Sequence, residues 1–256
     1  MKRFEGKFGL VTGSSSGIGQ AIAIELAKQG ATVAIHYNSN EEGAKETRKK
    51  TGQDVPVIGC NISDVEDVKD MFSQLDSAFP TLDFLVNNGG MEADDENLED
   101  LDPADWDKVI SVNLNGTFYC TAEAVRRMRK QGSGVIMHLT SVHEKIPWAK
   151  QCAYSATKAG VAMMSQSLAL ELADSGVRTF CLAPGAIKTD INKDSWSDPE
   201  KKKDLLEKIP MNRLGTPEEI ARLTALLLSD DASYVTGTSL FADGGMVAYP
   251  SFATGG

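Results

Sequence analysis

The chain is poor in the residues that build metal centres. It has four cysteines, Cys60, Cys120, Cys152 and Cys181, and three histidines, His36, His138 and His143, in 256 residues. No Cys-x-x-Cys pair occurs, and no His/Cys group stands at zinc-ligand spacing, so no metal site is expected. Three of the cysteines lie in apolar segments, where a reduced thiol packs as a small hydrophobe, and a reducing, cytoplasmic compartment is expected. No apolar run reaches membrane-spanning length, and no apolar signal region follows Met1-Lys2-Arg3. Lysine and arginine number 26 against 36 aspartates and glutamates, a net charge of −10. That balance argues against nucleic acid or an anionic membrane as the main partner. An anionic cofactor stays open, because backbone amides and local cations can hold phosphate against the global field.

What the chain does have is alternation. Short apolar runs occur at Phe8–Val11, Thr32–Ile35, Val55–Ile58, Leu82–Val86, Val135–Leu139, Val177–Leu182 and Ser239–Phe241. Between them lie helix-like stretches at Gly17–Gln29, Glu41–Lys50, Val65–Phe79, Trp106–Arg129, Tyr154–Leu172 and Pro217–Leu228. Buried parallel strands read as continuous β-rich runs, and their crossovers need helices. The alternation therefore predicts an α/β fold, one doubly wound seven-stranded parallel sheet with helices on both faces, in a single domain over 1–256. An eight-stranded (β/α) barrel is the competing architecture. The segment 188–215 is charged and carries Pro199 and Pro210; its middle, Asp198–Lys208, reads as a short exposed helix, and the whole is a candidate lid. The tail 244–256 is apolar enough to dock on a surface, a neighbouring subunit among them.

The first strand runs into Thr12-Gly13-Ser14-Ser15-Ser16-Gly17-Ile18-Gly19 and then a helix. Glycines there let the backbone turn sharply and approach a bound group, and the helix aims free amides and its positive dipole end at it. A dinucleotide pyrophosphate fits. The spacing is GxxxGxG, not GxGxxG, and no Gly-Lys-Ser/Thr follows, which argues against an ATP or GTP phosphate loop. Gly13-Ser14-Ser15-Ser16-Gly17 also reads as the G-x-S-x-G elbow of a hydrolase, but that elbow follows several strands and is followed by a histidine near the chain's end, and neither holds here. The second strand ends in Ile35-His36-Tyr37-Asn38-Ser39-Asn40. There is no carboxylate for the ribose hydroxyl of NAD and no arginine for the phosphate of NADP, so use of both, or a modest NADP preference aided by Asn38 and Ser39, is expected.

Tyr154 and Lys158 stand four apart on one expected helix face, with Ser141 thirteen residues before the tyrosine. Most such pairs are structural. A phenol that titrates near ~10 is a poor base at neutrality, and a nearby fixed cation favours the phenolate. On that reasoning Lys158 lowers the pKa of Tyr154.

Thr12–Gly19, Asn87-Asn88-Gly89-Gly90, Asn113, Ser141, Tyr154/Lys158 and Pro184-Gly185 together resemble the short-chain dehydrogenase/reductase family, from about Lys7 to the end of the chain. Ser141–Trp148, Pro184–Ile187 and the tail Ala242–Met246 with Tyr249-Pro250-Ser251-Phe252 resemble, within it, the bacterial NAD(P)-dependent glucose 1-dehydrogenases. The resemblance implies a catalytic set. Tyr154 would be general base or acid, Lys158 would also hold the nicotinamide ribose, Ser141 would bond the reacting oxygen, and Asn113 would anchor a proton-conducting water. It implies cofactor contacts at Gly13, Ser15, Ser16, Gly17, Ile18, Gly19, Asn61 and Ile62 beside adenine, Asn87 and Gly89 along the adenosine, and Pro184, Gly185, Ile187 and Thr189 at the nicotinamide and pyrophosphate. Glu92, His143 and Lys145 are candidates for the substrate pocket, with Ser141 and Tyr154. Glu92 opens an acidic run through Glu96 that departs from the family's pattern, as does Gly89, where alanine is usual. The implied activity is oxidation of the anomeric hydroxyl of β-D-glucose or a similar aldose by NADP or NAD, without metal, in a homotetramer. The alternatives are another ketone or secondary alcohol, including 3-oxoacyl or steroid-like substrates, and a non-catalytic NADP-binding sensor or scaffold.

Overall fold

The computed structural model describes residues 2–92, 96–189 and 196–248. Seven strands form one parallel sheet: β1 (Phe8–Val11), β2 (Thr32–Tyr37), β3 (Val57–Gly59), β4 (Phe84–Asn87), β5 (Gly134–Leu139), β6 (Val177–Pro184) and β7 (Ser239–Ala242). Their order across the sheet is β3-β2-β1-β4-β5-β6-β7, all neighbours parallel. The order reverses between β1 and β4, and a crevice opens there at the carboxyl ends of the strands. The barrel alternative is thereby excluded.

Eight α-helices are described: α1 (Gly17–Lys28), α2 (Glu41–Thr51), α3 (Val65–Ala78), α4 (Pro103–Ile110), α5 (Thr117–Gln131), α6 (Cys152–Glu171), α7 (Pro199–Glu207) and α8 (Pro217–Leu228). Strand alternation sorts the core into two layers. Val11, Val33, Ile35 and Val86 pack against Ile22 and Leu26 of α1 and Ile220 and Leu228 of α8. Leu10, Ala34, Leu85 and Ile136 pack on the other face against Met71, Phe72 and Leu75 of α3 and Met128 of α5. Burying each such side chain contributes about 1.5–3 kcal/mol before entropy is counted.

Most helices begin on a side-chain cap. Asn40 accepts from Gly43, Asp64 from Glu66 and Asp67, and Asp102 from Ala104. Asp198 accepts from Glu200 and Lys201, and Thr216 and Glu219 form a reciprocal capping box. α1 has no side-chain cap and no acidic residue in its first turn.

The stretch expected as one helix from Trp106 to Arg129 begins earlier, at Pro103, and is interrupted. Ser111–Gly116 is a π-helical turn between α4 and α5. The start follows from Asp102-Pro103, a capping carboxylate followed by the residue best tolerated at a first helical position. Over the carboxyl ends of the strands lies a third cluster, Val142, Leu205, Ile209 and Met246. It seats α7 and the turn Met246–Ala248 on the chain's own body. Tyr249–Phe252 and the rest of the tail lie outside the described residues, as do 93–95 of the acidic run. The candidate lid begins and ends side by side. The Lys188 amide donates to the Gly215 carbonyl, and the Gly215 amide to that of Ala186.

Candidate active site

A cleft of about 630 Å³ occupies the crevice. Its walls include Gly13, Ser15–Gly19, Asn38, Ser39, Asn61, Ile62, Gly89, Glu92, Ser141, Tyr154, Lys158, Pro184, Gly185, Ile187 and Thr189. The structure thus brings together nearly all the residues singled out in the sequence, from loops after β1, β2, β3, β4, β5 and β6.

The glycine loop is the anchor. Gly13 and Gly17 have φ of +62° and +53°, a region that disfavours any side chain. A Cβ on Gly13 would stand 2.9 Å from the Gly89 Cα, so two loops meet there. The loop's outward groups are tied down. The Ser14 amide donates to the His36 carbonyl, and Asn88 Nδ2 donates to the carbonyls of Thr12 and Gly13 at 2.9 and 3.0 Å. Thr47 Oγ1 donates to the Ser14 carbonyl at 2.9 Å. Among the described residues, the amides of Ser15 through Gly19 meet no acceptor. Five open amides at an uncapped helix start suit a diphosphate, and the residues present fit a dinucleotide.

Ser141, Tyr154 and Lys158 converge beside β5. Ser141 ends the strand's extended run, and its Oγ caps the turn Val142–Glu144 through the His143 amide at 3.2 Å. Tyr154 stands in the first turn of α6, one turn before Lys158. Lys158 Nζ donates to the Leu139 carbonyl at 3.0 Å and lies 5.4 Å from the Tyr154 ring centre. Burial pushes the tyrosine up to about 12; a hydrogen bond from Ser141 opposes this and the Glu92 charge reinforces it. Burial pushes Lys158 down to about 8, against the influence of Cys181 and Glu144.

In the cleft as it stands, burial and not a neighbouring cation sets the direction of the tyrosine's shift. Desolvation outweighs the charge, and the ammonium is aimed at a backbone carbonyl, not at the phenol oxygen.

Asn113 lies on the π-helical turn behind the cleft. Its Oδ1 accepts from the Met91 amide at 2.8 Å and its Nδ2 donates to the Met91 carbonyl at 2.9 Å. The side chain is therefore a clamp on the strand-end loop that presents Glu92. Its own carbonyl accepts from Thr117 Oγ1 at 2.8 Å.

Four candidates sit elsewhere or act differently. Asn87 does not face the adenosine side. It is buried, donating to Thr121 Oγ1 at 3.0 Å and His138 Nδ1 at 3.2 Å, because strand alternation turns it toward α5; Asn88 takes its place in the cleft. Asn61 keeps its amide oxygen for Ser63, so that atom already has donors at 2.8 and 3.2 Å. Lys145 is exposed and stacks over Phe241, away from the cleft wall. His143 lies beside the site, its ring 6.1 Å from that of Tyr154 and 5.0 Å from that of Trp148. Its Nδ1 donates to the Ile146 carbonyl at 3.0 Å, which leaves Nε2 as a bare acceptor. Burial lowers its pKa, keeping it neutral.

Sequence reasoning missed His36, Asn40, Asn88, Gly90, Met91, Lys108, Val112, Leu139 and Thr140 as cleft lining. Of these, Asn88 and Gly90 were legible as partners of Asn87 and Gly89 in one loop. Among the described residues no group of three or more His, Cys, Asp or Glu is placed to hold a metal, and no helix is long and apolar enough to cross a membrane.

The chain is similar over nearly its whole length to several known proteins. Residues 13–247 match a family model described as enoyl-(acyl carrier protein) reductase. A 3beta-hydroxysteroid dehydrogenase 1 of Eggerthella lenta is 42% identical over 98% of this chain and 97% of its own length. Glucose 1-dehydrogenase 2 of Bacillus subtilis is 40% identical over 98% of each chain. A 3-oxoacyl-(acyl-carrier-protein) reductase of Staphylococcus aureus is 41% identical over 94% of this chain and 98% of its own. Among solved structures, a Sinorhizobium meliloti protein provisionally named a short-chain alcohol dehydrogenase superposes with a TM-score of 0.90 at 36% identity, covering 95% of this chain and 97% of that one.

Proposed function

The chain belongs to the short-chain dehydrogenase/reductase family, and on that footing we propose that it interconverts a substrate CH–OH and carbonyl, with β-D-glucose or a similar aldose oxidised to its lactone. The observation that carries the reading is the meeting of Ser141, Tyr154 and Lys158 in one cleft with the open amides of Ser15–Gly19. A nicotinamide dinucleotide, when bound, supplies or accepts the hydride.

The chain's own residues do the rest. Ser15–Gly19 hold the diphosphate, and Pro184, Gly185, Ile187 and Thr189 shape the opposite wall. Ser141 donates to the reacting oxygen and stabilises the charge that develops there. Tyr154 takes the hydroxyl proton in oxidation and returns it in reduction. Lys158, still largely protonated at neutral pH with a pKa of about 8, swings from the Leu139 carbonyl to ribose hydroxyls and the phenolate. Asn113 keeps the Met91–Glu92 loop in place and lends its carbonyl to the proton path.

For the sugar, Glu92 and the bare Nε2 of His143 offer acceptors near Tyr154. A second reading is a flat, apolar secondary alcohol such as a steroid; the edge-on His143–Trp148 pair beside Tyr154 favours it, and so does the hydroxysteroid relative. NAD and NADP are both used, since no carboxylate or arginine ends β2. A homotetramer accounts for the exposed Phe118 on α5 and Met163 and Leu170 on α6.

The test is the absorbance of reduced nicotinamide with glucose, other aldoses, 3-hydroxysteroids and simple secondary alcohols, each with NAD and NADP. Glucose turnover that falls by more than about a thousandfold in Tyr154→Phe, with cofactor binding kept, is expected. Turnover of steroid but not aldose replaces the first substrate by the second. Turnover of none, with tight cofactor binding, points to a sensor and refutes both.

A further inference from the structure

We propose that His36 is a positioning residue for the cofactor: its imidazole holds the Gly13 peptide so that the amides of Ser15–Gly19 already stand in their binding orientation. The inference rests on the dinucleotide reading above and goes beyond it, since His36 lies at the cleft floor beneath the loop with only 2% of its surface exposed.

The ring is a strut between two backbone groups. Its Nδ1 lies 2.8 Å from the Gly13 amide and its Nε2 3.0 Å from the Cys60 carbonyl. An amide can only donate and a carbonyl can only accept, so the tautomer is fixed: Nδ1 bare, Nε2 protonated. Burial pushes the imidazole down to about 4, opposed by the bond to Cys60, so this neutral form is the one present at neutral pH. The main chain of His36 adds two more ties. Its amide donates to Ser14 Oγ at 2.9 Å, and its carbonyl accepts from the Ser14 amide at 3.0 Å.

The result is a division of labour along the loop. The amides of Gly13 and Ser14 are spent on His36, and their carbonyls on Asn88 and Thr47. The next five amides are left facing the cleft. Gly13 is the residue where this division is easiest to lose. At φ +62° with no side chain, its peptide has other conformations within reach. Without an acceptor at the Nδ1 position, the half-buried Gly13 N–H has to turn to find one, and the following amides turn with it. The ordering would then be paid at the moment of binding.

Two substitutions separate the two ends of the ring. Asparagine places an oxygen where His36 has Nδ1, so His36→Asn keeps the bond to Gly13 and loses that to Cys60. Glutamine places its amide where His36 has Nε2, so His36→Gln keeps the Cys60 end and loses the Gly13 end. Binding of NADPH and NADH is measured by titration calorimetry, thermal unfolding without cofactor is followed beside it, and kcat is taken at saturating cofactor. Expected are a dissociation constant within about twofold of the parent for His36→Asn and about tenfold weaker for His36→Gln, with kcat at saturation unchanged in both. Gln binding as tightly as the parent overturns the inference, as does Asn binding no better than Gln. A lowered melting temperature with unchanged dissociation constants also overturns it, because the histidine is then structural only. A parent chain that binds neither dinucleotide overturns the dinucleotide reading, and the inference with it.

Discussion

Lys158→Met tests the electrostatics of the site through stability instead of turnover. In the folded chain the ammonium's pKa falls from 10.5 to about 8, chiefly through burial. Two and a half units correspond to roughly 3 kcal/mol held against the charged form. The sign follows from proton counts. Between about pH 8 and about pH 10.5 the folded chain binds fewer protons at this position than the unfolded chain, so parent stability rises with pH across that window. Below about pH 8 the full penalty is present, and above about pH 10.5 it has gone.

Methionine is close in length and carries no charge, so it removes the penalty. It also leaves the Leu139 carbonyl without its 3.0 Å donor, which costs about 1 kcal/mol. The net gain near pH 7 is then roughly 1–2 kcal/mol, or about 2–8 °C in Tm for a chain of this size. Urea unfolding of parent and variant from about pH 7 to about pH 10.5 measures it. The gain should be largest at neutral pH and turn into a deficit approaching about 1 kcal/mol at the alkaline end, where only the lost Leu139 bond remains, while turnover is lost throughout. A variant no more stable than its parent at neutral pH, with the same slope against pH, would show that Lys158 is not held against its charge.

Three further outcomes are expected. In the cofactor-free protein, ultraviolet phenolate titration of parent minus Tyr154→Phe should place Tyr154 near 12; a value below that of free tyrosine, about 10, would restore the idea that Lys158 dominates. Asn113→Leu removes both bonds to Met91 and should cost about 2 kcal/mol of stability and speed amide exchange at Met91; unchanged exchange there would refute the clamp. In Gly19→Ala a Cβ would stand 2.4 Å from the Gly13 carbonyl oxygen and the Asn88 amide, so cofactor affinity should fall by at least about tenfold despite the better helix former. Unchanged affinity would mean that the loop gives way without moving the amides.

The doubly wound sheet was legible because every strand is a short, apolar, β-rich run and every crossover is amphipathic. Boundaries slipped where one residue decides them: β4 extends through Asn87, and α4 starts at Pro103. The fate of Asn87 was also within reach. Leu85 faces α3 and α5, so period-two alternation sends Asn87 the same way and leaves the cleft to Asn88. The π-helical turn was not legible, since it is a local shift of backbone bonding and Ser111–Gly116 carries no residue that demands it. Nor was the direction of the shift at Tyr154. Spacing places a cation one turn away, but only the depth of the cleft and the direction of the ammonium show that desolvation prevails.

The pairing of Ile187 with Gly215 has a consequence for how such a chain diversifies. The two residues close the intervening stretch like the neck of a purse, and beyond the neck it rests on the body through Leu205 and Ile209, packed against Val142 and Met246. Lengthening or replacing what lies between costs little, because closure entropy grows slowly with loop length. The cleft wall that carries Ser141 after β5 and Tyr154 and Lys158 on α6 lies outside that stretch. Relatives at 40–42% identity bear names with glucose, a hydroxysteroid and a 3-oxoacyl group, and a stretch tethered at one neck is where length can vary at least cost to the sheet.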